Sequence, residues 1–119
     1  MPMDVESYIV QWLKKQGLGI GISSNVPDPR PEEFVTVERF GGNRVSVGVE
    51  RPLISIRCWS KSRTKAAALA NRIESLMPEI MQEGFVTSVK MNSLANNPDE
   101  TVKPPNPRYE ILFTMTYRP

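Results

Sequence analysis

Histidine is absent from this 119-residue chain. That removes the commonest general base and the commonest transition-metal ligand. Cysteine occurs once, at Cys58, so neither an internal disulfide nor a thiolate zinc site can form. Cys58 lies in an apolar alternation, which predicts a buried, inert thiol. No run of about 20 apolar residues is present, so no membrane-spanning helix is expected. Met1-Pro2-Met3-Asp4 has no basic region leading into an apolar stretch, and no secretory signal is expected. The formal net charge is only +2, too little to argue for nucleic-acid binding on its own. Gly17-Leu18-Gly19-Ile20-Gly21 crowds glycines but follows a helical pattern and lacks the lysine of a phosphate loop. Glu32 and Glu33 are adjacent, which suits two solvated carboxylates better than a catalytic dyad. The chain is therefore expected to be no enzyme and to need no cofactor or metal.

What is present is enough for one domain. Hydrophobic residues make up 39% and charged residues 24% of the chain, a composition that supports a core. Residues 1–119 are read as a single unit. Asp4 is a candidate N-cap and Gly17 a candidate stop. Between them Val5, Tyr8, Ile9, Trp12 and Leu13 recur at helical spacing. Ile20 and Ile22 suggest a short strand. Asn25 to Pro31 holds three prolines and predicts a stiff extended loop. Phe34 to Phe40 and Arg44 to Glu50 read as the two strands of a hairpin turning at Gly41-Gly42-Asn43. Pro52 then interrupts, leaving Val45 to Glu50 and Leu53 to Trp59 as one bent strand or two.

Ser62 is expected to cap a second helix whose buried stripe is Ala66, Leu69, Ala70, Ile73, Leu76 and Met77. Pro78 ends that helix or opens a short extension through Ile80 and Met81, closed by Gly84. Thr87 to Ser93 reads as a strand with Val89 and Met91 on one face. Leu94 to Pro107 reads as a long polar loop with four prolines. Tyr109, Ile111, Phe113, Met115 and Tyr117 alternate and predict the last strand. The expected fold is α+β: a mostly antiparallel sheet, a mixed one being the open alternative, with two helices packed on it. Its core is expected around Ile9, Trp12, Leu13, Ile54, Ile56, Leu69, Ile73, Ile111 and Phe113.

One charge pattern stands out. Arg51, Arg57, Lys61, Arg63, Lys65 and Arg72 occur between positions 51 and 73 without a single acidic residue. At 100° per residue, Lys61, Lys65 and Arg72 share one flank of the second helix. That flank is either a solvated edge or a docking surface for acidic protein or nucleic acid. Asp28, Glu32 and Glu33 form an acidic counterpart. These six residues are the candidate subunit or partner interface.

The order of local features resembles the tail terminator, or tail-completion, proteins of long-tailed phages and prophages. The shared features begin with the N-terminal helix, Asp4 to Gln16. The lead Pro27-Asp28-Pro29-Arg30-Pro31 follows, running into Phe34-Val35-Thr36-Val37-Glu38-Arg39. Next come Gly41-Gly42, Arg51-Pro52, and Cys58-Trp59-Ser60 ahead of Ser62-Arg63 and the Ala66 to Ala70 helix. Pro107-Arg108-Tyr109 opens the last strand. The pattern covers nearly the whole chain, except that Leu94 to Pro107 matches no family feature. The resemblance implies a homo-hexameric ring that caps the head-proximal end of the tail tube and meets the head–tail connector. It implies tail-tube protein as a partner, passing contact with DNA in the lumen, no membrane, and residence in the virion after assembly in the host bacterial cytoplasm. It carries over no catalytic residue. Another ring of the head–tail junction, a stopper or adaptor, is the nearest alternative, and a small nucleic-acid-binding module a more distant one.

Overall fold

The computed structural model describes residues 4–118. The first helix, α1 (Val5–Lys14), begins at Asp4. The Asp4 carboxylate accepts the Ser7 amide at 2.9 Å, which satisfies one of the free N–H groups of the first turn. That bond also holds the Asp4 carboxyl below its ordinary range. Helix α1 buries Val5, Ile9, Val10, Trp12 and Leu13.

Five strands follow: β1 (Gly21–Ser23), β2 (Phe34–Ser46), β3 (Val49–Trp59), β4 (Val86–Asn96) and β5 (Arg108–Tyr117). They form one sheet in the order β1-β2-β3-β5-β4. All pairings are antiparallel except β1 with β2. The sheet is thus mixed, and the fold is α+β as the sequence predicts. Both helices lie on one face. That face carries Val35, Val37, Ile54, Ile56, Cys58, Ile111, Phe113 and Met115, all fully or almost fully buried. Cys58 is buried as expected.

Helix α2 (Arg63–Leu76) connects β3 to a 3₁₀ turn at Met77–Glu83. Ser62 caps it by accepting the Lys65 amide. Ala66, Ala70, Ile73 and Met77 are completely buried, at spacings of four, three and four. The two alanines let the helix backbone approach the sheet closely. Leu69 and Leu76 sit on the borders of this stripe and are only partly buried, so the expected stripe is narrower than predicted. Pro78 opens the 3₁₀ turn, and Gly84 closes it at φ 85°.

Two expectations need correction, and one open alternative is resolved. Gly41-Gly42-Asn43 is not a turn but lies inside β2, and the hairpin reverses at Val47-Gly48. Gly42 instead sits beside a bulge, opposite Pro52. A Cβ there would lie 2.4 Å from the Arg51 carbonyl and 2.5 Å from the Pro52 Cα. The glycine is required by this close backbone approach rather than by a reversal. Of the two readings left open at Pro52, the undivided strand holds, since β3 is continuous from Val49 to Trp59. Pairing of β3 with β5 skips Arg51 and Pro52, so the missing proline N–H costs the sheet no bond there. Lastly, Leu94, Ala95 and Asn96 belong to β4, and the connecting loop spans only 97–107. Strand β4 is an edge strand, so Met91 remains 41% exposed although it shares the helix-side face.

The other edge of the sheet is closed differently. Strand β1 covers β2 only from Phe34 to Thr36. Further along, the Arg39 amide on that edge donates to the Glu6 carboxylate of α1 at 2.6 Å.

Candidate functional site

The molecule measures 46 × 26 × 25 Å, and its two ends carry different chemistry. At one end the loop 24–33 leads into β2, beside the end of β3 and the start of α2. Asp28 and Glu32 are exposed here. Glu33 is half-buried and accepts the Ser60 hydroxyl at 2.9 Å. Lys61, Lys65 and Arg72 are all exposed. Glu32 and Lys61 line one shallow depression. Glu33, Lys65 and Arg72 rim another, floored by Leu18, Ile20 and Leu69. Among the described residues, none of Asp28, Glu32, Lys61, Lys65 and Arg72 has an ion-pair partner within 4 Å.

The expected acidic and basic patches therefore lie side by side on one end of the same subunit. A head-to-tail contact joins two different, complementary patches. Side by side, the α2 flank and the acidic loop are less apt for pairing across a subunit boundary than patches at opposite ends of the subunit.

Behind this end, on the sheet face without helices, the loop 97–107 is pinned by one carboxylate. Asp99 is 2% exposed. It accepts from Arg30 at 2.7 Å, from the Trp59 indole N–H at 3.0 Å and from the Thr101 amide at 3.0 Å. The Thr101 hydroxyl donates as well, and the Arg108 guanidinium lies 3.9 Å away. Burial alone would raise the Asp99 carboxyl; the bonds from Thr101, Trp59 and Arg30 outweigh it and hold it well below the carboxylate range. Arg108 also covers the Trp59 ring, 5.1 Å from its centroid, and Trp59 stacks on Phe34 at 4.3 Å. Next to this cluster Glu110 takes bonds from Arg57 at 2.9 Å and Ser55 at 2.7 Å. Its carboxyl is lowered too, against the burial that would raise it. Every charge in this cluster has a partner, so the arrangement locks two loops onto the sheet.

No protein-family model and no characterised protein matches the sequence. Among the described residues no group of three metal-ligating side chains comes together. Nor, among the described residues, is any helix long and apolar enough to cross a membrane.

At the opposite end the β2–β3 hairpin runs past the rest of the sheet as an arm. Between Gly41 and Pro52, only Glu50 pairs with β5. Val47 at the tip is 97% exposed, Val45 49% and Phe40, near the base of the arm, 48%. Arg44 and Arg51 are exposed along its flanks. Glu50 is held at the base by Arg39, at 3.2 Å, and more loosely by Arg44 at 3.8 Å. Sequence reasoning placed a hairpin here but put its turn five residues too early, which hid the apolar tip. The alternation Val45-Ser46-Val47-Gly48-Val49 was the available signal. Asp99 was missed because a carboxylate in a proline-rich loop reads as solvated; the signal for it was the need of Trp59 for an acceptor.

Proposed function

We propose that this chain is a structural virion protein that caps the head-proximal end of a phage tail tube as a ring, ending tube polymerisation and offering a joining surface to the head connector. The observation that carries the reading is the ordered resemblance along nearly the whole sequence, from the Asp4 to Gln16 helix to Pro107-Arg108-Tyr109. Two features of the molecule support it. The Asp99 and Glu110 carboxylates of the polar sheet face are tied up in internal pairs with Arg30, Arg108 and Arg57, which suits a building block. The projecting arm with an apolar tip is a device for contact with another chain. The role requires no catalysis and no cofactor. Partners are further copies of itself, the tail-tube protein and the connector.

The test is end-capping. Tail-tube protein from the same genome is polymerised with and without this protein and viewed by electron microscopy. The expected result is a ring on one end of each tube and arrest of growth at that end. Tubes that grow unchanged, with bare ends at saturating protein, overturn the reading. Binding to a purified connector but never to tubes assigns the chain instead to a stopper or adaptor ring.

A further inference from the structure

The arm is informative because Val45 and Val47 stand exposed together at the tip of a projecting ribbon, at 49% and 97%, and a grouped apolar patch marks a contact surface where a lone exposed side chain would not. Val45 and Val47 are apolar, and Arg44 and Arg51 flank them; the Arg44 side chain is 72% exposed and only loosely paired with Glu50, at 3.8 Å, a carboxylate that Arg39 already holds at 3.2 Å. The arm is thus an apolar knob with a cationic collar. Its complement would be an apolar surface with an anionic collar. The loop 24–33 of this chain has that character. Val26 is 42% exposed, next to Pro27 and Pro29, and Asp28 and Glu32 are exposed and without ion-pair partners among the described residues. The one cation within the loop, Arg30, is already neutralised by Asp99 at 2.7 Å.

Placement favours a second copy as the occupant. The two surfaces lie at opposite ends of β2, whose 13 residues span about 43 Å at about 3.3 Å each. That nearly fills the 46 Å long dimension of the molecule. One subunit therefore cannot bring its own arm to its own loop. Two different and complementary patches on one chain are what a head-to-tail contact requires, and their distance keeps one subunit from satisfying itself. Both patches are also stiff before they meet. The arm is a paired ribbon fixed at its base by the Gly42 bulge, and the loop has prolines at 27, 29 and 31, so little order has to be created on docking.

We propose that the tip of the β2–β3 arm of one copy docks against the Val26 to Glu32 loop of the next copy. Val45 and Val47 pack on Val26 and its prolines, while Arg44 and Arg51 face Asp28 and Glu32. This rests on the ring reading above and supplies its subunit contact. The basic flank of α2 is left free to meet another partner.

Engineered cysteines test the contact directly. The native Cys58 is fully buried, and burial pushes its thiol up to about 12, so it stays silent in the folded protein. Val47→Cys combined with Val26→Cys should give a ladder of dimers, trimers and higher species under mild oxidation. Each single variant should stop at weak dimers, and Val47→Cys with Ser75→Cys on α2 should give no ladder beyond that. Strong dimers from Val47→Cys alone would mean tip-to-tip pairing and overturn the proposal. So would a double variant no better linked than the single ones.

Charge reversal provides a second measurement that needs no cross-link. Arg44→Glu with Arg51→Glu should weaken self-association in low salt at least about tenfold, and Asp28→Arg with Glu32→Arg should restore part of it. No change on reversal overturns the proposal. Failure of this contact and failure of the capping role are separable. A native ring without the ladder sinks the contact alone, and a ladder from protein that never caps tubes sinks the role alone.

Discussion

Replacing Asp99 with alanine removes the acceptor shared by Arg30, Trp59 and Thr101. Three consequences set the magnitude. The indole N–H of Trp59, whose residue is 2% exposed, is left without a partner, at about 1–3 kcal/mol. Two guanidinium groups lose their counter-charge, and breaking a buried pair from one side costs about 3–5 kcal/mol. The Arg30 side chain is 28% exposed and that of Arg108 13%, so both regain some water and the lower end applies. The expected loss is about 3 kcal/mol, or about 12 °C in Tm at about 4 °C per kcal/mol for a domain of this size. Urea denaturation followed by tryptophan fluorescence measures it, since Trp59 reports on the cluster itself. Asp99→Asn separates charge from shape. The Asp99 carboxyl titrates below its ordinary value of 3.8 when folded. Its contribution is therefore complete above about pH 5 and is lost as pH falls through the folded value. The gap between the natural protein and Asp99→Asn should be widest near neutral pH and shrink below about pH 4. A loss under about 1 kcal/mol for Asp99→Ala would refute the reasoning, because it would show the loop is held by something else.

Gly42→Ala should lose about 2 kcal/mol or more in chemical denaturation, because the added Cβ meets backbone at 2.4 Å and φ is +111°; a neutral effect would mean the arm has no bulge there. Ile73→Ala should cost about 2–5 kcal/mol, whereas Leu69→Ala, on the border of the same stripe, should cost visibly less; equal losses would place the helix in a different rotation. The Cys58 thiol, raised by burial to about 12, should resist a thiol reagent in the native protein and react at once in denaturant; rapid native labelling would show that the sheet opens around it.

Much of this fold is legible in the residues themselves. The final strand alternates Tyr109, Ile111, Phe113, Met115 and Tyr117 without a break, and the structure buries the last four against the helices with Tyr109 half-buried at the border. The caps at Asp4 and Ser62 are equally direct, because a short polar side chain ahead of a periodic segment has a bond to make with the helix's free amides. The errors have a common origin. Gly41-Gly42 reads as a turn and Pro52 leaves one strand or two open, whereas Gly42 and Pro52 are the two halves of one close approach between strands. That reading requires knowing which residue lies opposite, and register is a tertiary fact. The acidic and basic surface residues were found, but not their adjacency. Sequence distance between Glu33 and Lys65 conceals that the end of β3 brings them together.

The Glu6 carboxylate at the Arg39 amide has a consequence for how this protein behaves in a crowd. A strand edge with free amides is a template on which another chain can lay itself down. Strand β1 stops after three residues, and from there a single acidic side chain reaching over from α1 stands in for the strand that would otherwise be needed. It occupies the donor with an acceptor that has no backbone behind it, so nothing can be added after it. The lock holds only while α1 is seated on the sheet. If the helix lifts, the same motion strips apolar cover from the core and frees the Arg39 amide on the outer rail of β2, so the seating of α1 guards the core and that edge together.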